Sequence, residues 1–120
     1  MVLVLGGAVI ATPTHVYAKP GDAQIAAGAC TFSAPTPSKS GDNVTATAHI
    51  SDCGTAYWTL TIQRHRTGPF WQTMGTSNRN NDGEVRVTTG CKELGTYTYR
   101  SILESNKGHQ SVSGHNRFSC

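Results

Sequence analysis

Asn43-Val44-Thr45-Ala46-Thr47-Ala48-His49-Ile50 alternates apolar and polar side chains, and Thr55 to His65 (TAYWTLTIQRH) repeats the alternation a few residues later. Successive side chains of an extended strand point to opposite faces, so a period of two marks a strand with one buried face. Val44, Ala46, Ala48 and Ile50 form one inward row. In the second stretch Trp58, Leu60 and Ile62 are the buried row, Thr59, Thr61 and Gln63 the wet one, and Tyr57 points away from Trp58. Trp58 is the natural core anchor.

The same rhythm continues on both sides. Thr67-Gly68-Pro69 turns the chain into a short strand, Phe70 to Met74, and Asn78 to Gly83 (NRNNDG) is a turn, because Asn and Gly accept positive φ. Glu84 to Thr89 alternates with Val85 and Val87 inward, Gly95 to Leu103 follows, and Gln110 to Phe118 closes the series. Upstream, Ala34 to Asp42 reads as a Pro/Ser loop. No stretch repeats apolar side chains at helical spacing, and charged residues make up only 14% of the chain. The expectation is an all-β, antiparallel sandwich of about seven strands.

Residues 1–18 read as a signal peptide. Met1 to Ala11 (MVLVLGGAVIA) is an uncharged apolar run, Pro13 and His15 follow in a polar segment, and Val16 and Ala18 suit the −3 and −1 positions of cleavage before Lys19. The Lys or Arg that usually opens such a leader is missing, and Val2 to Ile10 as a first strand is the competing reading. A membrane anchor is not expected, since spanning takes about 20 apolar residues. Residues 19–29 form a Pro/Gly/Ala-rich lead-in and residues 30–120 the domain, and the expected location is outside the cell. Cys30, Cys53, Cys91 and Cys120 then lie in an oxidising compartment, where small domains commonly supplement their cores with disulfides. Four cysteines allow three connectivities. Pairing neighbours in sequence, Cys30 with Cys53 and Cys91 with Cys120, is the expectation, and no Cys-x2-Cys knuckle points to zinc.

Leu94-Gly95-Thr96-Tyr97-Thr98-Tyr99-Arg100 resembles the late strand of immunoglobulin-like and fibronectin type III-like sandwiches, in which a corner tyrosine hydroxyl pins the neighbouring loop. The resemblance implies that Tyr97 is that tyrosine and Trp58 the core tryptophan. From Cys30 to Cys120 the chain is also similar to small exported two-disulfide sandwiches of actinobacteria. It departs from antibody domains in that its cysteines lie outside the strand positions that staple the two sheets through the core.

Catalysis is not expected. No Gly-x-Ser-x-Gly elbow or pair of acids on one strand is present, and His49, His65, His109 and His115 read as solvated histidines without a metal or cofactor. The formal net charge of +3 is modest and no basic run exists, which disfavours nucleic acid. Arg64, Arg66, Arg79, Arg86, Arg100 and Arg117 fall in or beside expected strands. An arginine-bearing outer sheet with aromatic neighbours is the expected contact surface, and Tyr57, Trp71, Arg86 and Arg100 are its candidate binding residues. The expected partner is an extracellular protein or glycan, with oligomeric state left open. The alternative is a secreted inhibitor of an extracellular hydrolase. The resemblance to amylase inhibitors lacks their Ser-Trp-Arg-Tyr sequence between Cys30 and Cys53, while Lys92 beside Cys91 offers a residue for a protease-directed loop.

Overall fold

The computed structural model describes residues 24–25 and 30–120, and the leader expected over residues 1–18 lies outside them. Two antiparallel sheets pack face to face, and no helix occurs among the described residues. The first sheet contains Gln24–Ile25 (β1), Thr31–Phe32 (β2), Ser38–Ser40 (β3), Asn43–Ser51 (β4) and Gly83–Gly90 (β7). The second contains Tyr57–His65 (β5), Trp71–Asn80 (β6), Thr96–Ser105 (β8), Gln110–Val112 (β9) and Asn116–Ser119 (β10). Nine strands run from Thr31 onward where about seven were expected, and the excess lies in short edge segments.

Strand β4 is the hub of the first sheet, with β7 on one side and β2 and β3 sharing the other. In the second sheet β5 lies between β6 and β8, and the far edge of β8 carries β9 and β10. One edge of each sheet is therefore a strand broken in the middle. Between Phe32↔Ile50 and Ser38↔Thr45 the register moves by one residue, at Pro35 and Pro37. Proline lacks the N–H a ladder needs, so the break falls there and the expected Pro/Ser loop resumes as an edge strand. The register of β8 also moves by one residue between Ile102↔Val112 and Tyr99↔Asn116.

The two breaks face one another and satisfy each other's polar groups. The Ser101 hydroxyl donates to the Pro35 carbonyl, the Ala34 N–H to Ser111 Oγ at 3.0 Å, and Asn116 Nδ2 to the Pro37 carbonyl at 3.0 Å. Ser113 Oγ accepts the Ser101 N–H at 2.8 Å. Ser101, Ser111 and Ser113 are all buried, and each unmet backbone partner would cost about 1–3 kcal/mol, which is why small hydroxyls rather than apolar side chains line this seam.

Between the sheets the predicted inward rows meet: Val44, Ala46, Ala48 and Ile50 from β4, Val85 and Val87 from β7, and Trp58, Leu60 and Ile62 from β5 are all buried. Trp58 packs against Phe32 with ring centroids 5.1 Å apart, and Tyr99 stacks on Phe118 at 4.5 Å. Such side chains contribute about 1.5–3 kcal/mol each on burial. Both expected disulfides are formed. Cys30–Cys53 ties the start of β2 to the segment after β4 within one sheet, whereas Cys91–Cys120 joins the sheets at one end of the sandwich, away from Trp58.

Several expectations are corrected. Strand β6 extends to Asn80, so Asn78 is a strand residue and the turn contracts to Asn81-Asp82, with Asn81 at φ 64. That turn carries the chain from one sheet to the other. Asp82 fastens it by accepting the Asp52 and Cys53 N–H groups at 2.9 and 3.0 Å. Tyr97 is no corner tyrosine: its hydroxyl has no hydrogen bond among the described residues, and its ring lies under Arg64, 4.4 Å from centroid to Cζ. His109 is not a solvated loop residue either. It stacks on Trp58 at 5.0 Å and its Nδ1 lies 2.6 Å from Ser105 Oγ.

Candidate binding site

The outer face of the second sheet is built by β5, β6 and β8, and its register decides which side chains meet. Gly68 takes φ 57, and the Arg66 N–H donates to the Phe70 carbonyl at 2.9 Å, so the turn sets Trp71 directly across from His65. On the other side of β5, Arg100 of β8 stands across from Gln63. A β-bulge separates the Ile62↔Gly75 and Gln63↔Thr73 pairs, leaving Met74 as the extra, buried residue. Bulges twist a strand and re-aim its side chains. Here the bulge precedes the point where three strands converge on one aromatic ring.

That ring is Trp71. The Arg100 guanidinium lies over it, Cζ 4.0 Å from the ring centroid, while Arg100 Nε donates to Gln63 Oε1 at 2.8 Å. His65 approaches the ring at 5.1 Å and His115 at 5.0 Å. His65 is itself held, its Nε2 2.7 Å from the Gly68 carbonyl oxygen. A cation on an indole face is worth about 0.5–2 kcal/mol, and partial burial pulls the Arg100 pKa below the usual guanidinium range while leaving it a cation. The Nη groups of Arg100 have no partner among the described residues. On the adjacent strand β10, Arg117 Nη1 donates to Thr98 Oγ1 at 3.3 Å, and Thr98 lies two residues before Arg100 on β8.

No carboxylate neutralises this patch. The described ion pairs are His49–Glu84, Arg64–Glu93 and Arg66–Glu93, Asp82 is spent on backbone amides, and Glu104 accepts from Gln110. Arg100 is thus a positioned, partly desolvated cation with its donor fork unused.

Tyr57 and Arg86 do not join this cluster. They line an open pocket of about 440 Å³ with Ser77, Asn78, Arg79 and Glu84. In register Tyr57 faces Asn80 and His65 faces Trp71, so about 27 Å of strand separates the two places at 3.4 Å per residue. Arg86 belongs to the first sheet and donates to Thr47 Oγ1 at 3.1 Å.

Arg64 is the largest departure from the outer-sheet expectation. It continues the inward row of β5 and is 1% exposed. Its Nη2 donates to Gln72 Oε1 and Glu93 Oε1, both at 2.7 Å, and Arg66 Nη1 reaches the same Glu93 oxygen at 3.1 Å. Hydrogen bonds from Arg66 and Arg64 and their charges hold the exposed Glu93 carboxyl below the usual range. This network joins the turn after β5 to the loop after β7, where Phe70 and Leu94 are exposed.

Sequence reading did not identify His65, Gln63 or His115 as neighbours of Trp71. For His65 the signal was present, because residues 65 and 71 are symmetric about Gly68. The chain matches no protein-family model, no curated protein and no solved structure.

Proposed function

We propose that this chain is a secreted binding module that recognises an extracellular protein or glycan through the outer face of its second sheet, without catalysis. The observation that carries the reading is the Trp71–Arg100 pair, a cation stacked on an indole with its Nη donors unused among the described residues. Arg and Trp are the residue types that dominate binding energy at interfaces, and here neighbouring strands hold both in place. Two disulfides suit an oxidising compartment. The test is retention on a panel of immobilised extracellular polysaccharides and proteins. Trp71→Ala should weaken retention at least about ten-fold, while Tyr57→Ala in the distant pocket should leave it unchanged. Equal retention of Trp71→Ala and wild type would sink this reading.

The inhibitor alternative draws on the loop after Cys91, which a disulfide tethers and in which Leu94 is 88% exposed. Lys92 in that loop has φ 67. Left-handed backbone is not the extended form in which a cleft takes up a substrate-like segment, which weighs against Lys92 as the inserted residue. Stoichiometric incubation with extracellular proteases and amylases separates the two readings, since only an inhibitor abolishes their activity.

A further inference from the structure

We infer that the ligand of the second sheet is an anionic polysaccharide, whose carboxylate or sulfate group is taken by the Arg100 fork. The inference rests on the binding reading above and adds the chemistry of the partner. Three observations carry it. First, Arg100 is immobilised at two points, by its stack on Trp71 and by its Nε bond to Gln63, so the orientation of its remaining donors is set before a ligand arrives. A planar fork held this way matches the two oxygens of a carboxylate or sulfate bidentately.

Second, the charge around Arg100 is of one sign: Glu104, on the same face of β8, lies four residues away, about 14 Å at 3.4 Å per residue, and accepts from Gln110. Arg117 stands across from Thr98, diagonally beside Arg100 at roughly 7–8 Å between backbones, and no described carboxylate pairs with either arginine. An acidic repeat along a polymer would meet two cations in succession. Third, hydroxyl and amide groups dominate the surroundings on β5 and β6, with Ile102 and Val112 an apolar pair beside Arg100 on β8 and β9. Thr59, Thr61 and Gln63 on β5 share this face with Thr73 of β6 and Thr98 of β8. The core of a protein-binding interface is usually richer in aromatic and aliphatic side chains, whereas hydroxyls and amides exchange hydrogen bonds readily with a hydroxylated chain. This composition favours a saccharide over an acidic protein.

The test titrates the full chain with four polymers: polygalacturonate, dextran sulfate, neutral dextran and polyglutamate. One or both anionic polysaccharides should bind, and which of them does identifies carboxylate or sulfate as the group taken. Dextran should not bind at the same concentration, and polyglutamate should bind at least about ten-fold more weakly than the better polysaccharide. Arg100→Gln should lose at least about ten-fold in affinity, and Arg100→Lys, which keeps the charge but not the fork, should fall between it and wild type. Arg117→Gln should lose a few-fold, and Lys39→Gln on the edge of the first sheet should change nothing. Thermal unfolding of each variant checks that it folds. The inference is overturned if neither anionic polysaccharide binds, if Arg100→Gln binds as wild type does, if Lys39→Gln loses as much, or if polyglutamate binds equally well. Dextran binding that is lost in Trp71→Ala but kept in Arg100→Gln would remove the anion and leave the binding face standing. Binding untouched by Trp71→Ala would remove the face itself.

Discussion

Replacing Arg64 by methionine and by alanine separates the two things this buried side chain does, carrying a charge and filling space. Arg64 is 1% exposed, its Nε has no hydrogen-bond partner among the described residues, and its contact to the Cys91 carbonyl is long at 3.5 Å. Its bond to Gln72 is charge-assisted, worth about 1.5–3 kcal/mol net. The pairing with Glu93 adds little, because that carboxylate stands in water and both it and Gln72 are resolvated when the cation leaves. Against this, withdrawing a guanidinium from water costs several kcal/mol, and its orphaned Nε a further 1–3 kcal/mol or so. Arg64→Met fills most of the same space without those costs, so it should match wild-type stability or exceed it by up to about 2 kcal/mol. Arg64→Ala removes the same charge but leaves a hole beside Tyr97, and should fall about 2–5 kcal/mol below Arg64→Met. In a domain of this size each 1 kcal/mol moves Tm by about 4–8 °C. Urea unfolding with the disulfides intact, followed by the fluorescence of buried Trp58, reads both variants. If Arg64→Met falls as far as Arg64→Ala, the ionic network and not the packing holds this end of the sandwich, and the reasoning fails.

Burial lowers the His109 pKa, so the unfolded chain binds its proton first as pH falls. Stability should therefore decline on acidification from the ordinary histidine pKa of about 6.5 toward the lower folded value, and His109→Phe, which keeps a ring on Trp58, should flatten that slope in urea midpoints between about pH 5 and 7. Glu93 has the opposite charge and a second window. Its depressed folded pKa adds stability above 4.5 that is lost as pH falls through the folded value, so Glu93→Gln should remove part of the slope only below pH 4.5. Serine replacement of both cysteines in either disulfide, with loops of 23 and 29 residues, should cost about 3–4 kcal/mol by urea unfolding in the chain-entropy description. Ser101→Ala should cost about 1–3 kcal/mol in the same assay, because the Pro35 carbonyl loses its partner.

What was legible in the sequence were the strands with one buried face. The rows of β4, β5 and β7 follow from alternation alone, since burial on one side and water on the other leaves a period of two. Apart from β7, the edges left no such record. Ser38–Ser40 is exposed throughout, and the inward positions of β6 are Gly75, Ser77 and Arg79, too small or too polar to register as a buried row. Gly75 must stay small, because a Cβ there would lie 3.0 Å from Thr89 Cβ of the opposite sheet. Arg64 was misjudged for another reason. Period two placed it inward after Ile62, and its charge argued for the surface. The inward position is tolerable only because Gln72, Glu93 and Tyr97 converge on it from three other parts of the chain. The same non-local logic governs the candidate site. Trp71 and Arg100 were picked by residue type, but their meeting depends on the registers of β6 and β8 against β5, which no local pattern specifies. Tyr57, of the right residue type, lies about 27 Å along the strand from Trp71, and Arg86 lies on the other sheet.

The most direct test of the binding face is a map of backbone amide chemical shifts on titration with whichever anionic polysaccharide binds. The account predicts that the largest shifts fall on Gln63, Trp71, Arg100 and Arg117, with β4 and β7 of the first sheet unmoved. Shifts concentrated instead on the Tyr57–Arg86 pocket or on the loop from Lys92 to Leu94 would contradict it.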